Sequence, residues 1–429
     1  MIKETKRMKN EAEWEAPSLC DELVADILIR VTPKTLSRCK CVCKNWRNLI
    51  SSTYVVQALK SGPPISAGFF YLECSDNDRV KYYCSIDRKV YHNVIPPDDL
   101  LTMPFSVVAS HNGLVLCAEK TKVRQRHFIC NPYTMQWVFL PRNPNLPEAE
   151  ADGNDFILLC IEKQESCDVE FKVLNFSFWT HWDSNPCSFL QVHMYSSETG
   201  KWTISELFSL SNPRFHSFRL EGSKKTLLAP DFVYLWKSHF SKVCVYDLNR
   251  GSLHVIRLPK PSAERFSPSH HLGVSVGSVY YAEVSTVSIR IWVHGGGDKW
   301  SLEHFVSFRE VPRLKFDPSF RLIAINPMKL GLVMQGDTKE QVLIYHVNRR
   351  EMELVPDFHP SLNDMPIVPY MLPGWLPGLK NSVSMKRGAG RSPLSLHEEV
   401  NYVKKEEDFT ILFVPQTRAY NRNFPPLSR

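Results

Sequence analysis

From Leu19 to Ser52 the apolar residues recur at helical spacing. Leu19, Leu23, Ile27 and, one position on, Leu28 alternate with Asp21, Glu22 and Asp26, the period of an amphipathic helix. Acidic residues at its start and Arg30 at its end complement the helix dipole. Pro33 breaks the pattern, Thr35 is placed to cap a second helix through Leu36 and Val42, and a third begins near Asn45 with Trp46, Leu49 and Ile50. Three short helices in about 35 residues cannot bury every apolar side chain among themselves. Part of that surface therefore docks, either on a partner or on the rest of the chain.

Beyond about residue 60 the helical period stops at Gly62-Pro63-Pro64, and short alternating runs continue to about residue 356. These runs repeat. Trp137, Trp202, Leu253, Trp300 and Met352 each open a strand after a turn, and Cys130, Tyr195, Tyr246, Val293 and Tyr345 lie seven residues before them. A weaker first copy sets Val90 after Tyr83. The anchors at 90, 137, 202, 253, 300 and 352 are 47, 65, 51, 47 and 52 residues apart. A hairpin repeat near this period predicts propeller blades of four strands. Six copies predict one closed ring, although five, six and seven blades are not strictly separable by spacing. The 65-residue interval, which contains PRNPNLPEAEADGND, is expected to hold a surface insertion.

Composition changes little. Of 429 residues, 43% are hydrophobic and 23% charged, which excludes wholesale disorder. A net charge of +7 spread over this length is unlike the concentrated basic field of a nucleic-acid binder. The longest apolar run, Phe156–Ile161, is far short of a membrane span, and the N-terminus is charged without an apolar signal region, so a soluble chain made in the cytosol is expected. Its residence is then cytoplasmic, nuclear or both. Twelve scattered cysteines argue for reduced thiols. Cys39, Cys41 and Cys43 lack the second pair that a zinc site needs, so buried or half-buried thiols are expected and no metal.

The other chemistry-bearing residues have bland explanations. Trp137, Trp202 and Trp300 are expected to pack between neighbouring blades. Gly295-Gly296-Gly297 lacks the Lys-Ser/Thr of a phosphate loop and reads as a hairpin tip. His111 precedes the turn Asn112-Gly113, and His270-His271 lies in a Ser/Pro-rich connection; all three histidines are expected at the surface or as caps. The tail is proline-rich to Pro377, and residues 374–400 read as a flexible basic segment. Lys386, Arg387 and Arg391 read as solvated, with a nuclear signal or a phosphate-binding patch as the alternative.

Two stretches resemble known families. The order Leu19-x-Asp21-x-Leu23, Ile27-Leu28-x-Arg30, Lys34-Thr35-Leu36-x-Arg38 and Cys41-Val42-Cys43-Lys44-x-Trp46-Arg47-x-Leu49-Ile50 resembles the F-box of plants. The chain departs from the family's usual Leu-Pro pairs at Cys20 and at Val31-Thr32, where the proline moves to Pro33. Asn112-Gly113-Leu114, Cys130-Asn131-Pro132, Trp137 and Leu140-Pro141 are similar to the plant F-box-associated domain, most clearly over residues 107–141. The fold class expected is therefore α+β multidomain. A small three-helix F-box (17–60) would follow a flexible N-terminus (1–16) and precede an all-β, six-bladed, kelch-like propeller (64–373). After the segment 374–400 comes a tail (401–429) whose strand 408–414 would close the ring.

The resemblance implies a non-catalytic substrate receptor without cofactor. Its F-box would bind a Skp-type adaptor and, through it, a cullin–RING ubiquitin ligase. Leu19, Leu23, Ile27, Leu28, Leu36, Val42 and Trp46 would be divided between module core and adaptor contact. The propeller would hold an unknown target protein, with no nucleic acid and no membrane. Two other readings stay open: an F-box scaffold or carbohydrate- or protein-binding module outside any ligase, and a propeller enzyme. Against the enzyme, HExxH and the dinucleotide glycine fingerprint are absent from the sequence.

Overall fold

A computed structural model describes residues 19–62, 66–72, 80–84, 105–119, 126–132, 134, 136–144, 155–162, 169–181, 187–209, 225–236, 241–259, 269–308, 321–326, 330–335, 342–355, 367–373, 375, 378–379 and 383–384. Four helices come first: α1 (Asp21–Arg30), α2 (Pro33–Cys39), α3 (Lys44–Ile50) and α4 (Thr53–Ser61). The expected three helices were one short. Ser52 caps α4, accepting from the Val55 amide, and Val55, Val56 and Leu59 bury its inner face. The start of α2 also differs from expectation. Thr32, not Thr35, is the cap, and the displaced Pro33 occupies the first helical turn, where a missing N–H costs nothing. Cys43, two residues before Asn45, caps α3. No described helix is long and apolar enough to cross a membrane.

The rest of the described chain is antiparallel strand: β1 (Ser66–Leu72), β2 (Val80–Cys84), β3 (Phe105–His111), β4 (Leu114–Glu119), β5 (His127–Asn131) and β6 (Gln136–Phe139). Next come β7 (Asp155–Glu162), β8 (Val169–His181), β9 (Cys187–Ser196) and β10 (Lys201–Ser209). They are followed by β11 (Lys225–Leu228), β12 (Phe232–Trp236), β13 (Lys242–Asp247) and β14 (Ser252–Arg257). The last full sets are β15 (Ser269–Ser275), β16 (Ser278–Val284), β17 (Ser288–His294) and β18 (Trp300–Ser307), then β19 (Arg321–Ile325), β20 (Gly331–Gln335), β21 (Val342–His346) and β22 (Glu351–Val355). The described chain ends with β23 (Val368–Leu372) and β24 (Val383–Ser384).

Among the described residues consecutive strands pair into an all-β propeller with five blades, not the six expected: β3–β6, β7–β10, β11–β14, β15–β18 and β19–β22. The first repeat does not form a four-stranded blade among the described residues. Its strands β1 and β2 pair with β23 in a three-stranded sheet, and Val90 lies outside the described residues. Closure is thus made by β23, with Ser66 opposite Leu372. The strand expected to close the ring, 408–414, lies outside the described residues.

Apolar clusters sit at the junctions between successive sheets. One joins Leu174, Phe176 and Val192 to Val233 and Tyr246, a second Tyr234 and Trp236 to Leu272 and Tyr281, a third Ile289 and Ile291 to Leu332 and Tyr345, and a fourth Val333 and Ile344 to Phe69 and Tyr71. Each blade buries both faces, which is why its inner strands read as near-continuous apolar runs instead of alternating ones. The 65-residue interval is spent largely on a long β8–β9 hairpin, paired from Lys172–Ser196 out to His181–Cys187. Residues 145–154 of the expected insertion lie outside the described residues.

Candidate functional site

The helical module presents one apolar stripe outward. Leu19, Leu23 and Ile27, four residues apart, are 59%, 52% and 52% exposed, and Val42 in the α2–α3 loop is 63% exposed. The opposite face of α1 (Val24, Ala25 and Leu28) is buried. Of the seven residues expected to divide between module core and adaptor contact, two are core: Leu28 and Leu36 are buried with Ile50, Val55 and Leu59. Trp46 is half-buried and packs against the same cluster. Polar ties hold the outer edge. Asn45 Nδ2 donates to Asp21 Oδ1 at 2.9 Å, joining the starts of α3 and α1, and the Tyr54 hydroxyl donates to Asp26 Oδ1 at 3.3 Å.

The inner face of the module is covered by a segment that sequence reasoning read as flexible. Trp375 and Leu379 are buried in the cluster that contains the module core, and the same cluster runs on to Val169 and Phe171 of β8. Lys60 of α4 lies 4.8 Å over the Trp375 ring. The Val169 amide donates to the Gly378 carbonyl at 3.0 Å, and β24 pairs with β6, Val383 opposite Trp137. Trp375, Gly378, Leu379 and β24 thus form a strap that touches both module and propeller. The spacing Trp375-x-x-x-Leu379 was the available signal, hidden in a proline-rich stretch. Residues 1–18 and 385–429 lie outside the described residues.

The propeller's conspicuous side chains are spent on structure. Trp202 Nε1 donates to the Pro141 carbonyl of the preceding blade at 2.8 Å, and Trp300 Nε1 to the Arg257 carbonyl of the preceding blade at 2.9 Å. Trp137 is buried opposite Cys130. His111 is not a surface residue: its Nδ1 accepts from the Cys160 amide of the next blade at 3.0 Å, and burial lowers its pKa to about 4. His270 and His271 lie in β15, against Tyr281 and Trp236, not in a connection. Asn131, part of the motif at 130–132, accepts from the Thr134 amide and shapes a turn.

At the glycine triplet, Gly296 and Gly297 take positive φ of 92° and 57° in a hairpin tip. Among the described residues no group of three or more His, Cys, Asp or Glu is placed to hold a metal ion. Of the three cysteines expected to be buried or half-buried, Cys39 is half-buried, while Cys41 and Cys43 are exposed because they sit in a loop and a cap of the module's outer edge; Cys20 is exposed as well.

A sequence profile of the family "F-box protein At3g26010-like, beta-propeller" matches residues 84–364, and an F-box domain profile matches residues 17–56. The chain belongs to this family of F-box proteins. Its relatives include the Arabidopsis thaliana F-box/kelch-repeat protein At1g15680, 29% identical over 78% of this chain and 83% of that one. The Arabidopsis F-box protein At5g07610 is 23% identical over 81% of this chain and 87% of that one, and At3g26010 itself is 26% identical over 48% of each. An F-box joined to a β-propeller is the architecture of an F-box substrate-recognition protein, and F-box domains generally bind Skp1-type adaptors. The outward stripe of this F-box protein therefore lies in the domain that carries the adaptor contact in the family at large.

Proposed function

We propose that this F-box protein is the substrate-recognition subunit of a Skp–cullin–F-box ubiquitin ligase. In this reading Leu19, Leu23, Ile27 and Val42 seat on the adaptor, while loops at the blade ends hold a target protein. The chain itself performs no chemistry. It works by proximity: tethering the target raises the local concentration of its lysines at the ubiquitin-loaded enzyme. One observation carries the reading, the apolar stripe left outward on a module whose other face is buried against the strap and propeller. Completing the burial of each half-exposed side chain is worth roughly 1 kcal/mol, enough for four of them to anchor a partner.

The test is co-purification of the full chain with a Skp-type adaptor, beside Leu23→Asp and Ile27→Asp. Both positions are half-exposed, so these variants keep the fold, which circular dichroism checks; Trp46 would be a poor choice because it packs on the core. Leu354→Asp on the outer strand β22 is the control. Wild type and control are expected to retain adaptor and each stripe variant to lose it at least tenfold. A folded wild type that retains none would favour a scaffold or carbohydrate-binding role outside the ligase.

A further inference from the structure

The described cysteines divide by location. In the propeller Cys117, Cys130, Cys160 and Cys244 are buried, and burial pushes the thiols of Cys117, Cys160 and Cys244 up, away from the reactive thiolate. In the helical module Cys20, Cys41 and Cys43 are exposed. An unpaired cysteine is ordinarily among the most buried residue types, so three exposed ones in one small module call for a cause other than packing. Capping does not supply it. Cys43 accepts from the Trp46 amide at 3.4 Å, a contact a serine would make better, and Cys20 caps nothing with its side chain.

Their neighbours do supply a cause. Cys20 follows the exposed Leu19 at the head of the stripe, and Cys41 and Cys43 flank the exposed Val42. The bond from Asn45 Nδ2 to Asp21 Oδ1 joins the two segments, one residue from Cys20 and two from Cys43. Each of these three exposed cysteines therefore adjoins an outward apolar side chain of the proposed docking edge.

We propose that Cys20, Cys41 and Cys43 form a thiol-modification site that gates adaptor docking, its reagent a small disulfide of the glutathione type. The proposal rests on the docking reading above. A cysteine thiolate attacks one sulfur of the disulfide and a new S–S bond forms. The old S–S bond breaks, and its other half departs as a thiolate that takes up the proton; excess thiol runs the exchange backwards. No further oxidant is needed. The adduct sets a bulky charged group beside Leu19 or Val42, where docking requires an apolar surface free of unpaired charge.

The experiment treats the native full chain with oxidised glutathione, maps the adducts by peptide mass and measures adaptor affinity before and after. Adducts are expected at Cys20, Cys41 and Cys43 and not at Cys117, Cys130, Cys160 or Cys244. Affinity is expected to fall at least tenfold and to return with dithiothreitol. The triple variant Cys20→Ser, Cys41→Ser, Cys43→Ser, in which serine keeps the caps, should bind equally under both conditions. Absence of adducts at the three cysteines, or adducts with unchanged affinity, overturns the proposal. Failure of the reduced wild type to bind adaptor overturns the docking reading and the gating with it. The adduct map, read without adaptor, still decides whether the thiol site exists.

Discussion

At the scale of single residues, the histidines between blades make stability depend on acid. Burial lowers His111 and His127 to about 4. His111 Nδ1 accepts the Cys160 amide and so must stay unprotonated to keep that bond. Above about pH 6.5 both rings are neutral folded or unfolded, and stability is at its full value. Between about 6.5 and 4 the unfolded chain binds the extra protons, so stability falls as pH drops; below about 4 the loss is complete. A thermal melt series is expected to show this decline, and His111→Asn, which carries no titrating ring, should flatten part of it. A wild-type melting temperature constant over this window would contradict the buried, neutral rings.

Another residue-scale prediction concerns the β15–β16 turn. Val276 has φ 48° ahead of Gly277 at 77°, where the matching β3–β4 turn has Asn112 and Gly113 at 42° and 77°. A β-branched residue is strained there and Asn is not. Val276 is 72% exposed, so it packs on little. Val276→Asn is expected to stabilise the fold by about 1 kcal/mol, read as a higher urea midpoint at unchanged slope.

At the scale of elements, the recurring hairpin explains both what the sequence pattern shows and where it misleads. Asn131–Gln136, Ser196–Lys201, Asp247–Ser252 and His346–Glu351 each bracket a four-residue tip, so residues seven apart pair directly: Cys130 with Trp137, Tyr195 with Trp202, Tyr246 with Leu253, Tyr345 with Met352. The glycine triplet adds one residue to its tip, so Trp300 faces His294 and not Val293. Trp202 and Trp300 nevertheless reach equivalent carbonyls on the preceding blades. Trp202→Phe and Trp300→Phe are each expected to cost about 1 kcal/mol. The double variant should sum them within about 0.5 kcal/mol, because the two junctions share no partner; equilibrium urea unfolding measures it. Strong coupling between them would mean the blades respond as one body.

The same elements mark the limits of pattern reading. Helix α4 is hidden by Thr53-Tyr54-Val55-Val56, β-branched and aromatic residues that weaken a helical reading until the Ser52 cap is weighed. The closing strand β23 is discounted by Pro369, which its place opposite Phe69 tolerates, while 408–414 has the better strand composition. In the candidate site, spacing alone exposes the stripe Leu19, Leu23, Ile27. It does not separate Leu28 and Leu36 from it, because their burial depends on α3, α4 and the strap, far along the chain.

At the scale of the whole molecule, the strap decides whether the module is an independent bead or a fixed arm. Four short helices enclose a small core, below the size that ordinarily folds alone. Trp375 and Leu379 extend that core into the propeller, and Lys60 over the Trp375 ring adds a further contact. Trp375→Ala removes the largest side chain of the strap at a buried site, a loss of about 3–5 kcal/mol. If the strap is what holds the module, that loss falls unevenly. Hydrogen exchange should show the amides of α1 and α4 opening while those of β15–β18, across a separate cluster, keep their protection. Leu379→Ala should act in the same direction more weakly, and the two changes should couple, since both line one cluster. Equal loss of protection in helices and blades would mean that the propeller also depends on the strap. Unchanged protection in α4 would mean that the module stands without it, and the orientation of an adaptor relative to the blades would then be free.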